Sequence, residues 1–162
     1  ALVLFGTHNR NPTAFELTEL SHMASHMALP VLTCARCRCI TENNVGRSGS
    51  RVLAEALKAN RCLTALNLDN NDVGDDGARA FADTLKTNYA LTGLGLWDSN
   101  VSADGARSLV DALNINLSLT QLSLAVNGSS NVLLASIQTC LQRNKLVIKS
   151  ALAALRTARR VL

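Results

Sequence analysis

Aromatic side chains are scarce: three Phe, one Tyr and one Trp make up 3% of 162 residues. Too few ring faces are present for a base-stacking platform, which argues against nucleic-acid binding. Proline is rarer still, at two residues. No apolar run reaches the ~18 residues of a bilayer span, so a transmembrane helix is excluded. The first residues lack the charged, apolar and cleavage-site pattern of a secretory signal. Composition excludes a collagen and a coiled coil, and at 48% hydrophobic the chain is too apolar to be disordered. Its length suits one domain with a core that needs no disulfide or metal staple. Acid is missing from one end. Residues 1–111 hold twelve acids and ten bases, a net of −2. Residues 112–162 hold six bases (Arg143, Lys145, Lys149, Arg156, Arg159, Arg160) and no acid. Such polarity suits an acidic partner at the C-terminal end.

What the chain has in abundance is periodicity. Leu63-Thr64-Ala65-Leu66-Asn67-Leu68 returns as Leu91-Thr92-Gly93-Leu94-Gly95-Leu96, and again as Leu119-Thr120-Gln121-Leu122-Ser123-Leu124. Each step is 28 residues. Val73 and Val101 keep the register, as do Gly77 and Gly105, and Ala78 and Ala106. So do Phe81, Leu109 and Ile137, then Leu85, Leu113 and Leu141, and the closing Asn60, Asn88, Asn116 and Asn144. Counting back from Val73 through Val45 starts another unit near residue 35.

Each unit has a physical reading. Leu66 and Leu68 are two apart and share one face of a short strand, while Asn67 points the other way. Asp75 and Asp76 fall where a helix N-terminus favours negative charge, and Gly77 permits close packing there. Ala78, Phe81 and Leu85 form one buried helical stripe. One unit cannot bury both its strand and its helix, but a stack of units can.

The fragment LTALNLDNNDVGDDGARAFADTLKTNYA, Leu63 to Ala90, resembles the leucine-rich repeat, and within it the ribonuclease-inhibitor-like class. The resemblance implies an α/β fold: a right-handed solenoid or horseshoe arc, with parallel strands on the concave face and helices on the convex face. It also implies that Asn71 bonds backbone groups in its turn, with Ser99 as a weaker substitute. Residues 1–162 read as a single domain. A divergent first repeat covers 1–34, four repeats cover 35–146, and a capping helix covers 147–162. In the first repeat Leu2–Leu4 reads as a strand and Thr13 to Ala28 as a helix. The stretch Phe5-Gly6-Thr7 through Asn11-Pro12-Thr13-Ala14-Phe15 resembles an irregular repeat of the tropomodulin C-terminal domain. In the capping helix Ile148, Leu152 and Leu155 should lie on the final repeat, with Lys149, Arg156 and Arg160 in solvent.

Candidate chemistry dissolves on inspection. Cys34, Cys37 and Cys39 could join Cys62 around zinc. Cys37 and Cys39, however, are two apart on an expected strand, where they replace core leucines more cheaply than Arg38 would. His22 and His26 share a helical face, but no third ligand follows in register. The chain has no Gly-rich phosphate loop with its lysine and no catalytic constellation. No cofactor or metal is implied, and the expectation is that the chain is not an enzyme.

Binding is expected on the concave face, from residues between the core leucines: Asn67, Asp69, Asn70, Trp97, Asp98, Gln121, Ser123 and Val126. Trp97 is the single tryptophan, at a position the repeat does not need to bury, with Gly93 and Gly95 leaving room beside it. Lys149, Arg156 and Arg160 form a second, basic surface. The function expected is a cytoplasmic protein–protein interaction module or scaffold that binds neither nucleic acid nor membrane. Alternatives implied by the resemblance are a regulator of a small GTPase, like Ran GTPase-activating proteins, and a cytoskeletal or ciliary assembly subunit, like tropomodulin. The first needs an acidic edge from Asp69, Asp72, Asp98 and Asp104.

Overall fold

A computed structural model describes residues 37–39, 41–127 and 131–158. The first repeat expected over 1–34, with its His22–His26 pair, lies outside the described residues, as do Cys34 and Arg160. Strands and helices alternate: β1 (Cys37–Cys39), α1 (Gly46–Ala59), β2 (Ala65–Asn67), α2 (Gly74–Leu85), β3 (Gly93–Ser102), α3 (Ala103–Ile115), β4 (Gln121–Asn127) and α4 (Asn131–Ala158). The four strands form one parallel sheet in sequence order. Each helix packs against the next.

Register follows the repeat. Ala65, Gly93 and Gln121 stand in one row, Leu66, Leu94 and Leu122 in the next, then Asn67, Gly95 and Ser123. The leucine rows fill the space between sheet and helices. Leu63, Leu68, Leu91, Leu96 and Leu119 are buried from the strand side, and Phe81, Leu85, Leu109 and Leu113 from the helix side. Burying one such side chain is worth about 1.5–3 kcal/mol. Close approach of α1 and α2 depends on Gly77: a Cβ there would stand 2.5 Å from Val73 Cγ1 and 2.9 Å from Ser50 Cβ.

Polar groups tie one repeat to the next. Asn88 Nδ2 donates to the carbonyls of Leu57 (2.6 Å) and Asn60 (2.9 Å), and its Oδ1 accepts from Ala90 and Leu91 N–H. Asn116 repeats this against Leu85 and Asn88, accepting from Ser118 and Leu119. Asn144 donates to Asn116 and Leu119. All of these asparagines are buried. Asn71 does bond backbone in its turn, donating from Nδ2 to the Asp69 carbonyl, and its Oδ1 accepts from Asn43 and Val45 N–H one repeat back. Ser99 donates to the Leu68 and Trp97 carbonyls. Asp75 adds a further tie, accepting from Ser102 N (2.8 Å), Ser102 Oγ (2.7 Å) and Gly105 N (3.2 Å).

Four expectations need correction. First, β1 pairs Arg38, and not Cys37 or Cys39, with Leu66. A one-residue slip would have broken the 28-residue step of the ladder, and the backbone keeps that step. Second, the five cysteines read from the sequence as thiols packed like small hydrophobes, yet while Cys140 is buried, Cys62 is exposed in the turn after Asn60. Third, no separate helix begins near 147. Helix α4 runs unbroken through Asn144, because Ala151, Leu152, Ala153, Ala154 and Leu155 are strong helix formers with no strand alternation. Ile148 is half-buried, but Leu152 and Leu155 are 51% and 67% exposed and do not cover the final repeat. Fourth, Val126 pairs with Val101, although the 28-residue step aligns it with Asp98. Leu122, Leu124 and Val126 alternate as a strand, and β-branched valine keeps β4 extended where Asp98 turns.

Replacing Asn116 with Ala should therefore cost about 3 kcal/mol or more, because several buried backbone groups lose their partner at once. Ser123→Ala on the exposed sheet face should cost under about 0.5 kcal/mol. Denaturant melts of the two variants measure the difference. A pH dependence also follows. Burial acts to raise the Asp75 carboxyl, but the Ser102 hydroxyl, the N–H groups of Ser102 and Gly105, and nearby Arg79 outweigh it and hold the group below its usual value. Its contribution is present above the unfolded value near ~4 and is lost as pH falls through the folded value. The stability gap between the parent chain and Asp75→Asn should be constant near neutrality and shrink below about pH 4.

Candidate binding face

The open side of the sheet carries the expected rows. Gln121 and Ser123 are exposed at its last strand, and Asn67 and Asp69 are half-buried at its second. Asn70, Trp97 and Asp98 are exposed where strands turn into loops. Trp97 keeps 55% of its surface open. Its backbone is fixed on both sides: N–H donates to Asp69 Oδ1 (2.7 Å), and the carbonyl accepts from Asn70 N (2.8 Å). The ring is thus presented from a rigid frame. A depression of ≈ 570 Å³ elsewhere on the sheet, which Trp97 does not line, is bordered by Ala65, Asn67, Gly93, Gly95, Gln121 and Ser123, among others.

Two details differ from the sequence reading. Gly95 leaves no free room. A Cβ there would stand 2.5 Å from Asn67 Oδ1 and 2.8 Å from Asp69 Oδ1, so those side chains lie across the glycine. Val126 is half-buried and packs on the core, so it leaves this face. Lys149 and Arg156 are exposed, but on the distal half of α4.

Six loop residues, three of them acids, sit on left-handed backbone. Glu42, Asn70 and Asp98 have positive φ, and so do Asn44, Asp72 and Asn100, each set in 28-residue register. Asn and Asp tolerate this left-handed backbone best among residues with a side chain. Asp72 also accepts from Asn100 Nδ2, and Asp104 pairs with Arg107. Asp69, Asp72 and Asp104 thus each hold a bond within the fold, and Asp98 supplies a left-handed turn residue. Sequence reading missed these loop conformers, although Asn and Asp recurring at one loop position is the signal for them. Asp76 with Arg79, Asp83 with Lys86 and Glu55 with Lys58 pair along the outer helix faces. Among the described residues no group of three or more His, Cys, Asp or Glu could hold a metal ion. No helix among them is long and apolar enough to cross a membrane.

The repeat geometry has counterparts. A family model described as leucine-rich repeat matches residues 59–82, from the end of α1 into α2. That segment is a leucine-rich repeat, and the 28-residue step carries its pattern to the neighbouring units. No curated protein matches it. Among solved structures, one titled "Leiomodin-1 Actin-Binding Site 2 (ABS2)" is similar over 93% of this chain and 99% of its own, at 20% identity and a TM-score of 0.62. The tropomodulin C-terminal domain of Caenorhabditis elegans is similar over 86% and 99%, at 14% identity and a TM-score of 0.50. At these identities the likeness speaks for the leucine-rich repeat fold.

The geometry at Gly95 yields a direct test. Gly95→Ala should displace Asn67 and Asp69, cost about 1–3 kcal/mol and shift the emission of Trp97, the only tryptophan. Fluorescence and a denaturant melt of the one variant measure both effects.

Proposed function

We propose that this leucine-rich repeat chain is a non-enzymatic interaction module that binds a protein partner through the open face of its sheet. The observation that carries the reading is Trp97, half-exposed on a backbone pinned by Asp69 and Asn70. A rigidly held, exposed tryptophan among polar side chains has the makeup of an interface anchor. Asn67, Asp69, Asn70, Asp98, Gln121 and Ser123 supply the surrounding polar rim. In this reading the strands line the concave side of a right-handed horseshoe, the hand preferred by parallel β–α–β crossovers. Lys149 and Arg156, with Arg160 beyond the described residues, form a second surface that attracts an acidic partner.

A cytoskeletal partner is the second reading. Likeness to a structure titled as an actin-binding site, over nearly its whole length, favours it. In that reading the protein acts in the cytoplasm, on actin-containing assemblies. The ribonuclease-inhibitor-like subclass rests on the 28-residue step alone.

Affinity capture from cell extract with the intact chain and with Trp97→Ala tests the face, and cosedimentation with purified actin filaments tests the partner. Trp97→Ala should leave stability within about 0.5 kcal/mol, because the ring is largely open, and weaken partner binding tenfold or more. Partners retained equally by both chains would contradict the sheet-face reading. Failure to cosediment would remove the actin reading and leave the interaction module.

A further inference from the structure

We propose that the distal half of α4 carries a heptad seam that docks an amphipathic helix of a partner protein, with acidic residues flanking that helix's apolar stripe. The proposal rests on the basic-end reading above for the surface and goes beyond it in naming the occupant.

The spacing along the helix carries the argument. Leu141, Lys145, Ile148, Leu152 and Leu155 follow one another in alternating steps of four and three. The chain as a whole is no coiled coil, but this spacing is the a/d seam of one: Leu141, Ile148 and Leu155 at d, Lys145 and Leu152 at a. Leu141 is spent within the array, where it is buried. Ile148 is half-buried, and Leu152 and Leu155 are largely open. Every residue from Lys149 to Ala158 is exposed, so no element of the described fold covers this half of the helix. From Ile148 to Ala158 each apolar residue larger than alanine lies on the seam. A stripe confined to a and d has the width of a helix–helix contact. A helix lying in a bilayer surface presents a broader apolar face, often with Trp or Phe, and residues 145–158 hold no aromatic side chain.

The flanks of the seam decide the sign of the partner. Beyond Asn144 the e positions are Lys149 and Arg156, and the g positions are Ala151 and Ala158. Residues at e and g choose a partner helix through ion pairs. A second copy would set these cations against each other in an antiparallel pair and against alanine in a parallel one. It gains no ion pair either way, whereas a helix with Glu or Asp on its flanks does. None of the four ion pairs among the described residues involves Lys145, Lys149 or Arg156. No acid follows Asp111 in the chain. Arg143, by contrast, is taken up by the Leu113 and Asn116 carbonyls.

Seam and cations share one hollow. Thr120 and, on α4, Lys145, Ile148, Lys149, Leu152 and Arg156 line a trough of ≈ 410 Å³. Its helical wall is the a, d and e side of α4, the side that a partner helix would take. Apolar side chains of that helix would enter between Ile148 and Leu152, and its carboxylates would reach Lys149 and Arg156 from the same side.

The experiment uses the full chain and a blocked three-heptad peptide with Leu at a and d and Glu at e and g, beside its counterpart with Lys at e and g. Amide NMR shifts follow binding. The Glu peptide should shift amides of α4 from Lys145 to Ala158, and the Lys peptide should not. Lys149→Gln/Arg156→Gln should weaken binding of the Glu peptide about tenfold. Lys149→Glu/Arg156→Glu should reverse the preference between the two peptides, with circular dichroism of the chain unchanged. Leu152→Gln/Leu155→Gln should also weaken binding about tenfold or more, with the melting midpoint unchanged because both side chains are largely open. Raising salt from about 0.05 to about 0.5 M should weaken binding of the Glu peptide. Binding lost in Lys149→Gln/Arg156→Gln but intact in Leu152→Gln/Leu155→Gln overturns the seam and leaves the basic-end reading standing. Binding that persists in the charge variant and at high salt removes the basic-end reading and the proposal with it. No binding of the Glu peptide, or equal binding of both peptides, overturns the proposal. So does self-association of the chain abolished by Leu152→Gln/Leu155→Gln, which makes a second copy the occupant. Binding of phosphatidylserine vesicles or duplex DNA through the same cations, with none to the Glu peptide, overturns it as well.

Discussion

Everything in this array depends on a buried asparagine that follows each of the first three helices. Where the chain leaves a helix and turns toward the next strand, carbonyls and N–H groups lose their helical partners and cannot reach water. Asn88 and Asn116 each bond four such groups, two in their own turn and two in the preceding repeat. One side chain thus closes a turn and fixes its distance from the neighbouring turn. With that spacing set, the leucine rows meet in register, and no buried side-chain N or O among the described residues lacks a partner. The opposite loops use the same economy through Asn71, Ser99 and Asp75, each of which reaches across to an adjacent repeat.

This division of labour frees one surface. Core leucines and turn asparagines are committed to stacking, while the sheet's open rows carry whatever side chain does not disturb the ladder. The freedom is partial. Asp69 looks like a recognition residue but holds Trp97 N–H, and Asn67 Oδ1 accepts from Asp69 N–H (2.8 Å). Gly95 is small because those two side chains occupy its space. Trp97, Gln121 and Ser123 remain as side chains with surface to spare.

Much of this was legible beforehand, and the reason is physical. A stack of equal units forces each buried position to recur, so Leu66–Leu94–Leu122 and Asn60–Asn88–Asn116–Asn144 announce themselves as core and closure. What lay hidden were the places where the chain departs from the repeat. Arg38 stands in line with Leu66 because the ladder holds its step at the first described strand. Val126 slips into register with Val101 because β-branched valine keeps β4 extended, and α4 continues past Asn144 through the helix formers at 151–155. The loop residues carry a second requirement. Their left-handed backbone at Asn70, Asp72, Asp98 and Asn100 is a conformational requirement that composition does not reveal.

Native-state hydrogen exchange across the asparagine ladder tests this account most directly. The Leu91 and Leu119 amides, each held by an asparagine side chain three residues earlier, should exchange only with global unfolding and in the same step as the core strand amides. Exchange at these two positions by local opening, orders of magnitude faster than at Leu94 and Leu96, would contradict the ladder's role as the array's organising constraint.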